Sequence, residues 1–249
     1  FINYGKVNVD STSKILVEKD STANSEAVGV YSVNGSNVTN EGTIDVSGKD
    51  SIGILGMTYR TDASGNPIVN EFGVGAVGQG RANVLNKGKI TLDGESAAGI
   101  FMKNNNADMT LPNTIAEGIN DIGAEIVMSG NKSVGLSGER ATLTNRGTLD
   151  IKGKESIGIF GKKESRLVNE GSIKIADGES EDKPNIGIFA EDQKTEIGNA
   201  KDIIAGNNSY GIYGKTIVVE PTGKIKVGNK SVGIFSDGKY AVTTPSVMN

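Results

Sequence analysis

One phrase is reworded down the whole chain. NEGTIDVSGKDSIGILG at residues 40–56 returns as NKGKITLDGESAAGIF from Asn86, NRGTLDIKGKESIGIFG from Asn145 and NEGSIKIADGES…NIGIFA from Asn169. The glycine inside each S-[IV]-G-[IV] core anchors the copies at Gly29, Gly53, Gly75, Gly99, Gly135, Gly158, Gly187, Gly211 and Gly233. Successive intervals are 24, 22, 24, 36, 23, 29, 24 and 22 residues, so the two long ones are one period plus an insertion. A fixed period of this size marks stacked repeats, each touching only its neighbours. Most of the sequence therefore specifies a scaffold.

Inside each copy apolar residues alternate with polar ones, the period-2 pattern of a half-buried strand, and no 3.6-residue period appears. One strand carries Ile44 and Val46, Ile90 and Leu92, Leu149 and Ile151, or Ile173 and Ile175. A second carries Ile52 and Ile54, Ala98 and Ile100, Ile157 and Ile159, or Ile186 and Ile188, and both members of each pair are expected inside. A third, shorter strand holds Val38, Val84, Leu143 or Leu167 ahead of an asparagine. Three short strands and three turns in about 22 residues make one coil of a right-handed parallel β-helix, all-β, of about nine coils of 22–24 residues. A left-handed β-helix needs an apolar hexad repeat, and a leucine-rich repeat needs its Leu frame; neither occurs here.

Two small-residue columns accompany the strands. A glycine stands five residues before most anchors (Gly48, Gly94, Gly130, Gly153, Gly206, Gly228), which implies a positive φ in that turn. The asparagines Asn40, Asn86, Asn145 and Asn169 face inward toward the same position on the next coil. Asp62 and Ile122 occupy that place in the intervening coils, so a continuous asparagine ladder is not expected.

Composition narrows the function classes. The 26 basic and 30 acidic residues argue against nucleic acid or an anionic membrane as partner. With no cysteine and no histidine, disulfides, thiolate chemistry and the commonest general base are excluded. No segment approaches the roughly 20 apolar residues that span a bilayer. The chain reads as one β-helical segment, 1–249, of a longer array.

The phrase NEGTIDVSGKDSIGILG and its siblings resemble repeats in the passenger regions of large type V autotransporter adhesins, especially fusobacterial ones, over nearly the whole chain. The resemblance implies a passenger carried through the outer membrane by a C-terminal barrel and displayed at the cell surface. There it would bind a host cell-surface protein or glycan, or a partner bacterial surface. No binding residue carries over by motif.

Candidate sites lie where the period breaks, because loops on rigid repeats carry binding. The 36-residue interval holds an insertion at 102–115, whose Lys103, Asn104, Asn105, Asn106 and Asp108 offer dense hydrogen-bonding groups for a protein epitope or glycan. The 29-residue interval inserts an acidic stretch near 177–185, with Asp177, Glu179, Glu181 and Asp182. Such carboxylates hold Ca²⁺ in other settings, but the EF-hand spacing is lacking and a solvated loop is expected, with no cofactor. A stripe of large residues follows the anchors: Tyr31, Leu55, Val77, Phe101, Phe160, Phe189, Tyr213 and Phe235. Strict alternation points it outward; a bend at the next glycine would turn it into a core corner, which is the expectation. The basic run Lys152, Lys154, Lys162, Lys163 and Arg166 alternates with Glu155 and Glu164 and reads as a solvated face.

Many parallel β-helices cleave polysaccharides, and such chemistry needs paired carboxylates or a base on adjacent coils. Outward positions on consecutive first strands run Asp150 then Lys174, so no enzyme is expected. An adhesive segment is the leading reading, a passive stalk presenting a distal tip the next, and a polysaccharide-active enzyme a remote third. Open strand edges at both ends would let the segment associate end to end, unless 1–13 and 240–249 fold over as caps.

Overall fold

The computed structural model describes residues 2–3, 6–18, 26–33, 36–58, 82–105 and 116–237. They form a parallel β-helix with no helix among them. Strands stack into three parallel sheets that coil after coil visits in turn. The anchor sheet has nine strands, from Ile2–Asn3 to Val232–Phe235, and holds the S-[IV]-G-[IV] cores. The Asn sheet has eight, from Lys6–Val9 to Thr216–Val219, most ending in the inward asparagine. The third sheet also has eight, from Lys14–Val17 to Ile225–Val227.

The coil count needs one correction. Ile52–Thr58 pairs directly with Ala98–Asn104, so no coil anchored at Gly75 stands between them, and the intervening 46-residue interval is a single coil. Gly75, Val77 and Asp62 lie outside the described residues. The ninth strand comes instead from the N-terminus. Ile2–Asn3 pairs with the strand at Tyr31, and Lys6–Val9 and Lys14–Val17 complete that rung, so this end is a coil and not a folded-over cap. The other expected cap, 240–249, lies outside the described residues.

Alternation in the third and Asn sheets is as read from the sequence. Ile44, Ile90, Ile126, Leu149, Ile173, Leu143 and Leu167 are fully buried in one continuous core. In the anchor sheet the phase shifts. Every ladder skips the anchor glycine: Val134 pairs with Ile157 and Leu136 with Ile159, while Gly135 and Gly158 pair with nothing. Around that glycine the chain bends, so Ser156 and Ile159 both face inward while Ile157 faces out. Ile52, Val134, Ile157 and Ile186 are accordingly half-buried and outside the main core, against expectation, whereas Ile54, Ile100, Leu136, Ile159, Ile188 and Ile212 are sealed.

The turn glycines also have a different cause. The left-handed residue sits two positions later and is not glycine: Asp50, Ser96, Lys132, Glu155, Asn208 and Lys230 have φ between 50° and 57°. The glycine is needed because coils touch there. A Cβ on Gly153 would lie 2.0 Å from the Gly130 carbonyl oxygen, and one on Gly130 would lie 2.1 Å from that of Gly94. Gly153→Ala should therefore cost more than the roughly 1 kcal/mol typical of point mutants, although φ at Gly153 does not lie in the left-handed region. Glu155→Gly, which relieves a left-handed residue, should be neutral or mildly stabilising when the two variants are compared by urea titration.

A continuous asparagine ladder does form. Each side-chain amide donates to the side-chain oxygen one coil on: Asn40 to Asn86 at 2.7 Å, Asn86 to Asn120 at 2.8 Å, Asn120 to Asn145 at 2.9 Å, Asn145 to Asn169 at 2.8 Å, and Asn169 to Asn199 at 2.8 Å. The sequence count failed because the coil at Gly135 has a longer turn, residues 121–124, between its Asn and third-sheet strands. Asn120, not Ile122, fills the inward place. Ile122 is 80 % exposed at the tip of that turn, beside Gly123 at φ 82°. A parallel serine column precedes the anchors. Ser156 accepts from the backbone N–H of Ser133 and donates to the Gly130 carbonyl, tying its coil to the one before at two points.

Candidate functional site

The insertion expected to carry binding begins later than the sequence implied. Met102, Lys103 and Asn104 belong to the strand Ala98–Asn104. Met102 is core, and Asn104 is fully buried with its side-chain oxygen accepting from Thr58 at 2.6 Å, so neither belongs to a projecting tip. Lys103 lies outward in register with Met57 and Glu139, and Asn105 follows at the strand end. Asn106 and Asp108 lie outside the described residues. What the geometry adds is placement: the anchor-sheet strand ends at Asn104 and the Asn-sheet strand begins at Ala116, the same pair of sheets that Thr58 ends and Ala82 begins one coil earlier.

Beside this junction sits one sequestered acid. Glu139 is 7 % exposed and meets Lys163 in a short ion pair, with Lys162 at 3.9 Å. Burial alone would raise its pKa. The hydrogen bond from Lys163 and the charges of Lys103, Lys163 and Lys162 outweigh that and hold it below the ordinary value. Most of the basic run is thus consumed by neighbours: Lys152 meets Asp150 at 3.2 Å, and Lys154 donates to the Asp177 carbonyl at 2.6 Å. Arg166 stands opposite Glu196 in register.

The acidic stretch behaves as a pinned loop. Asp177 accepts from the backbone N–H of Asn207 at 2.7 Å and from its side chain at 3.2 Å; these bonds lower its pKa. Lys183 bridges Glu179 at 3.0 Å and Glu155 at 3.7 Å, and Lys230 meets Glu181 at 2.9 Å. The carboxylates face lysines and backbone rather than one another, which is no arrangement for Ca²⁺. Among the described residues, no two carboxylates fall on consecutive rungs of an outward strand column. Two open grooves lie farther along: about 530 Å³ beside Arg146, Glu170, Lys201 and Lys224, and about 480 Å³ over Gly198 on the Asn sheet.

The feature that distinguishes one side of the rod is the outer face of the anchor sheet. The large-residue stripe does not turn into the core. Leu55 and Phe101 pack with Tyr31, Val33, Met57, Val28 and Ile52 in a second cluster separate from the main one. Farther along, Phe160, Phe189, Tyr213 and Phe235 touch ring to ring, tilted, edge-to-face and stacked in turn, with centroids 5.5, 5.0 and 4.8 Å apart. Ser137 interrupts the stripe between these two parts. Because of the phase shift at the anchor glycine, Ile157 and Ile186 stand beside the rings as a second outward apolar column. The other outer faces are mixed and carry no rings among the described residues: the third sheet shows Thr148, Asp150 and Lys174 beside the exposed Leu16 and Ile204, and the Asn sheet shows a half-buried aliphatic column of Leu85, Ile119, Val168 and Val218. Sequence reading missed the second column because it assumed unbroken alternation. The recurrent serine two residues before the anchor (Ser51, Ser133, Ser156, Ser209, Ser231) was the available signal: an inward, hydrogen-bonded serine forces its neighbour out.

Comparison with protein-family models, curated protein sequences and solved structures finds no match to this chain. Among the described residues no helix is long and apolar enough to cross a membrane.

Proposed function

We propose that the chain is a surface-displayed adhesive β-helix, a passenger segment of the autotransporter type, anchored to an outer membrane through a barrel elsewhere in a longer protein. The observation that carries this reading is the row of rings: among the described residues, the anchor sheet is the outer face lined by aromatic side chains in contact with one another, and such a face is suited to flat contact. An exposed apolar surface of this kind marks interaction sites. Partners are a host cell-surface protein or glycan, or another bacterial surface. The reading is non-enzymatic, since among the described residues the outward strand columns set each acid beside lysine, arginine, threonine, asparagine or an aliphatic residue and offer no acid pair for hydrolysis. The resemblance of the repeats to fusobacterial-type passengers supports display at the cell surface. A passive stalk remains the second reading, supported by the regularity of the coils.

Beads coated with the protein test it. Coated beads are expected to attach to cultured epithelial cells or to other bacteria, and coats carrying Phe160→Ser, Phe189→Ser and Tyr213→Ser together should attach at least about tenfold less well. Replacing 106–115 by a Gly-Ser turn tests the loop separately. If loss follows the loop and not the face, contact belongs to the insertion. If wild-type beads attach to nothing, the stalk reading replaces this one.

A further inference from the structure

We infer that the last three rungs of the third sheet, with the groove at their entering turns, bind an anionic polysaccharide, a chain that carries sulfate or carboxylate groups among its hydroxyls. This strip lies on a different face from the rings, so the inference stands or falls apart from the contact reading above. It starts from a mismatch of charge. Earlier in the same sheet the lysines are matched by acids: Lys14 meets Asp45 at 2.6 Å, Lys89 meets Glu125 at 3.0 Å and Lys152 meets Asp150 at 3.2 Å. The side chains of Lys174, Lys201, Lys224 and Lys226 make no ion pair or hydrogen bond among the described residues. Strand pairing gathers them. Lys174 and Lys226 flank Ile204 in one outward column, Lys224 stands two residues before Lys226, and Lys201 lies in the turn entering the middle strand. Among them stands one acid, Asp202. With the turn side included, five cations (Arg146 and these four lysines) face three anions (Glu170, Asp202 and Glu220).

Turn length then shapes the site. Between the Asn and third sheets, four-residue turns project at 121–124 and 220–223. Each is closed by a backbone bond, from the Ala124 N–H to the Asp121 carbonyl at 3.0 Å and from the Gly223 N–H to the Glu220 carbonyl at 2.9 Å. The three turns between them pass through Gly147, Gly171 and Lys201 with two residues fewer, and form a floor. This is the groove of about 530 Å³, four strand spacings or roughly 19 Å from one projecting turn to the other. Its lining mixes the hydroxyls of Thr148, Ser172 and Thr222 with Lys201, Lys224 and the Arg146–Glu170 ion pair. Along the strands it opens onto Lys174, Ile204 and Lys226.

Charge and shape together select the ligand. Four free ammonium groups favour an anion through charge-assisted hydrogen bonds. Lys174 and Lys226 stand two rungs or roughly 10 Å apart, which suits charges repeated along a chain better than a single phosphate. An anionic bilayer fits poorly, because it would also press on the stretch 177–183 beside the same rungs, with four acids to one lysine. A peptide main chain finds no open edge on Ser172–Ile175 or Ile203–Ala205, each paired on both sides. A polysaccharide uses every group. Its sulfate or carboxylate oxygens accept from the lysines, its hydroxyls donate to Glu170 and Asp202, and a sugar face covers Ile204, which is 48 % exposed.

Calorimetric titration of the whole chain reads the site, with a heparin oligosaccharide (sulfate and carboxylate), an oligogalacturonate (carboxylate alone) and dextran (neutral) as probes. Binding to one or both acidic chains, weakening as salt rises, and none to dextran, is expected. Which acidic chain binds tells sulfate from carboxylate recognition. Lys174→Gln, Lys201→Gln, Lys224→Gln and Lys226→Gln together should weaken binding at least about tenfold with the melting temperature unchanged. A control that changes net charge equally, Lys14→Gln, Lys49→Gln, Lys87→Gln and Lys132→Gln, removes lysines already held in ion pairs and should weaken it less than about twofold. Ile204→Glu keeps every lysine and should weaken binding as much as the first set. No binding to either acidic chain, equal losses in the two lysine sets, or tighter binding of polyglutamate or phosphatidylserine vesicles would overturn the inference. No ring is altered in these variants, so a failure here leaves bead attachment to decide the contact reading by itself.

Discussion

Ile159→Asp will unfold the middle of the stack, and Ile157→Asp, two residues away in the same strand, will barely be felt. Ile159 is sealed between Leu136 and Ile188, its register partners on either side. The substitution removes roughly 1.5–3 kcal/mol of apolar burial and leaves a carboxyl without a partner in the core. A loss above about 4 kcal/mol follows. Ile157 faces outward on the far side of the phase shift at Gly158, and its aspartate would stay hydrated, so a loss nearer 1 kcal/mol is expected. Because each coil contacts only its neighbours, Ile159→Asp should also split or broaden the urea transition. Equal melting of the two variants would mean that the anchor strand alternates without interruption.

The contrast between those neighbouring isoleucines shows where a sequence stops being legible. Period, strand count per coil and the inward set of two sheets follow from hydrophobic alternation, and Leu149, Ile151, Leu143 and Leu167 lie where that pattern puts them. Alternation assumes one residue per half-pleat, however, and a glycine that leaves the ladder breaks the count without changing composition. The residues ahead of it flip with that one residue: Ile157 and Ile186 turn outward, while Ile159 stays inside and Phe160 outside, where alternation puts them. The same limit hid Asn120: a turn longer than its siblings moved the asparagine out of the column counted backwards from the strand. At the turn glycines the sequence identified the right residues for the wrong reason, because close approach between coils is a property of the stack and not of one turn. The candidate loop was misplaced at its start since Met102, Lys103 and Asn104, which lack the alternation of the repeats, continue a strand whose partners lie 46 residues earlier.

Asn120→Leu will cost as much as any single change in the asparagine ladder. It removes the bond accepted from Asn86, the bond donated to Asn145 and a longer one donated to the Thr148 carbonyl at 3.3 Å. The Asn86 amide N–H keeps only a 3.3 Å bond to the Gly88 carbonyl, and the Asn145 oxygen loses the ladder donor that faces it. Buried amide groups left without partners cost about 1–3 kcal/mol each, so a loss of about 2–5 kcal/mol is expected. Asn40→Leu should be milder. Val9 precedes Asn40 on its rung, the Asn40 oxygen already has no partner, and replacing it cuts one bond while removing that orphan. Asn120→Asp separates hydrogen bonding from packing. Its carboxylate still accepts from Asn86 but has no proton for Asn145, and burial raises its pKa above the ordinary value near 3.9. In the folded state the acid then holds its proton to higher pH than when unfolded. Stability relative to wild type should be greatest in acid, where the carboxyl O–H donates to Asn145, and should fall as pH rises through the unfolded and then the folded pKa. The leucine variant has no proton to regain, so its deficit should not change with pH. Thermal melts of the three proteins between pH 3 and pH 8 distinguish the cases. Parallel pH profiles for Asn120→Asp and Asn120→Leu would mean that the column is held by packing and that its amide bonds contribute nothing net.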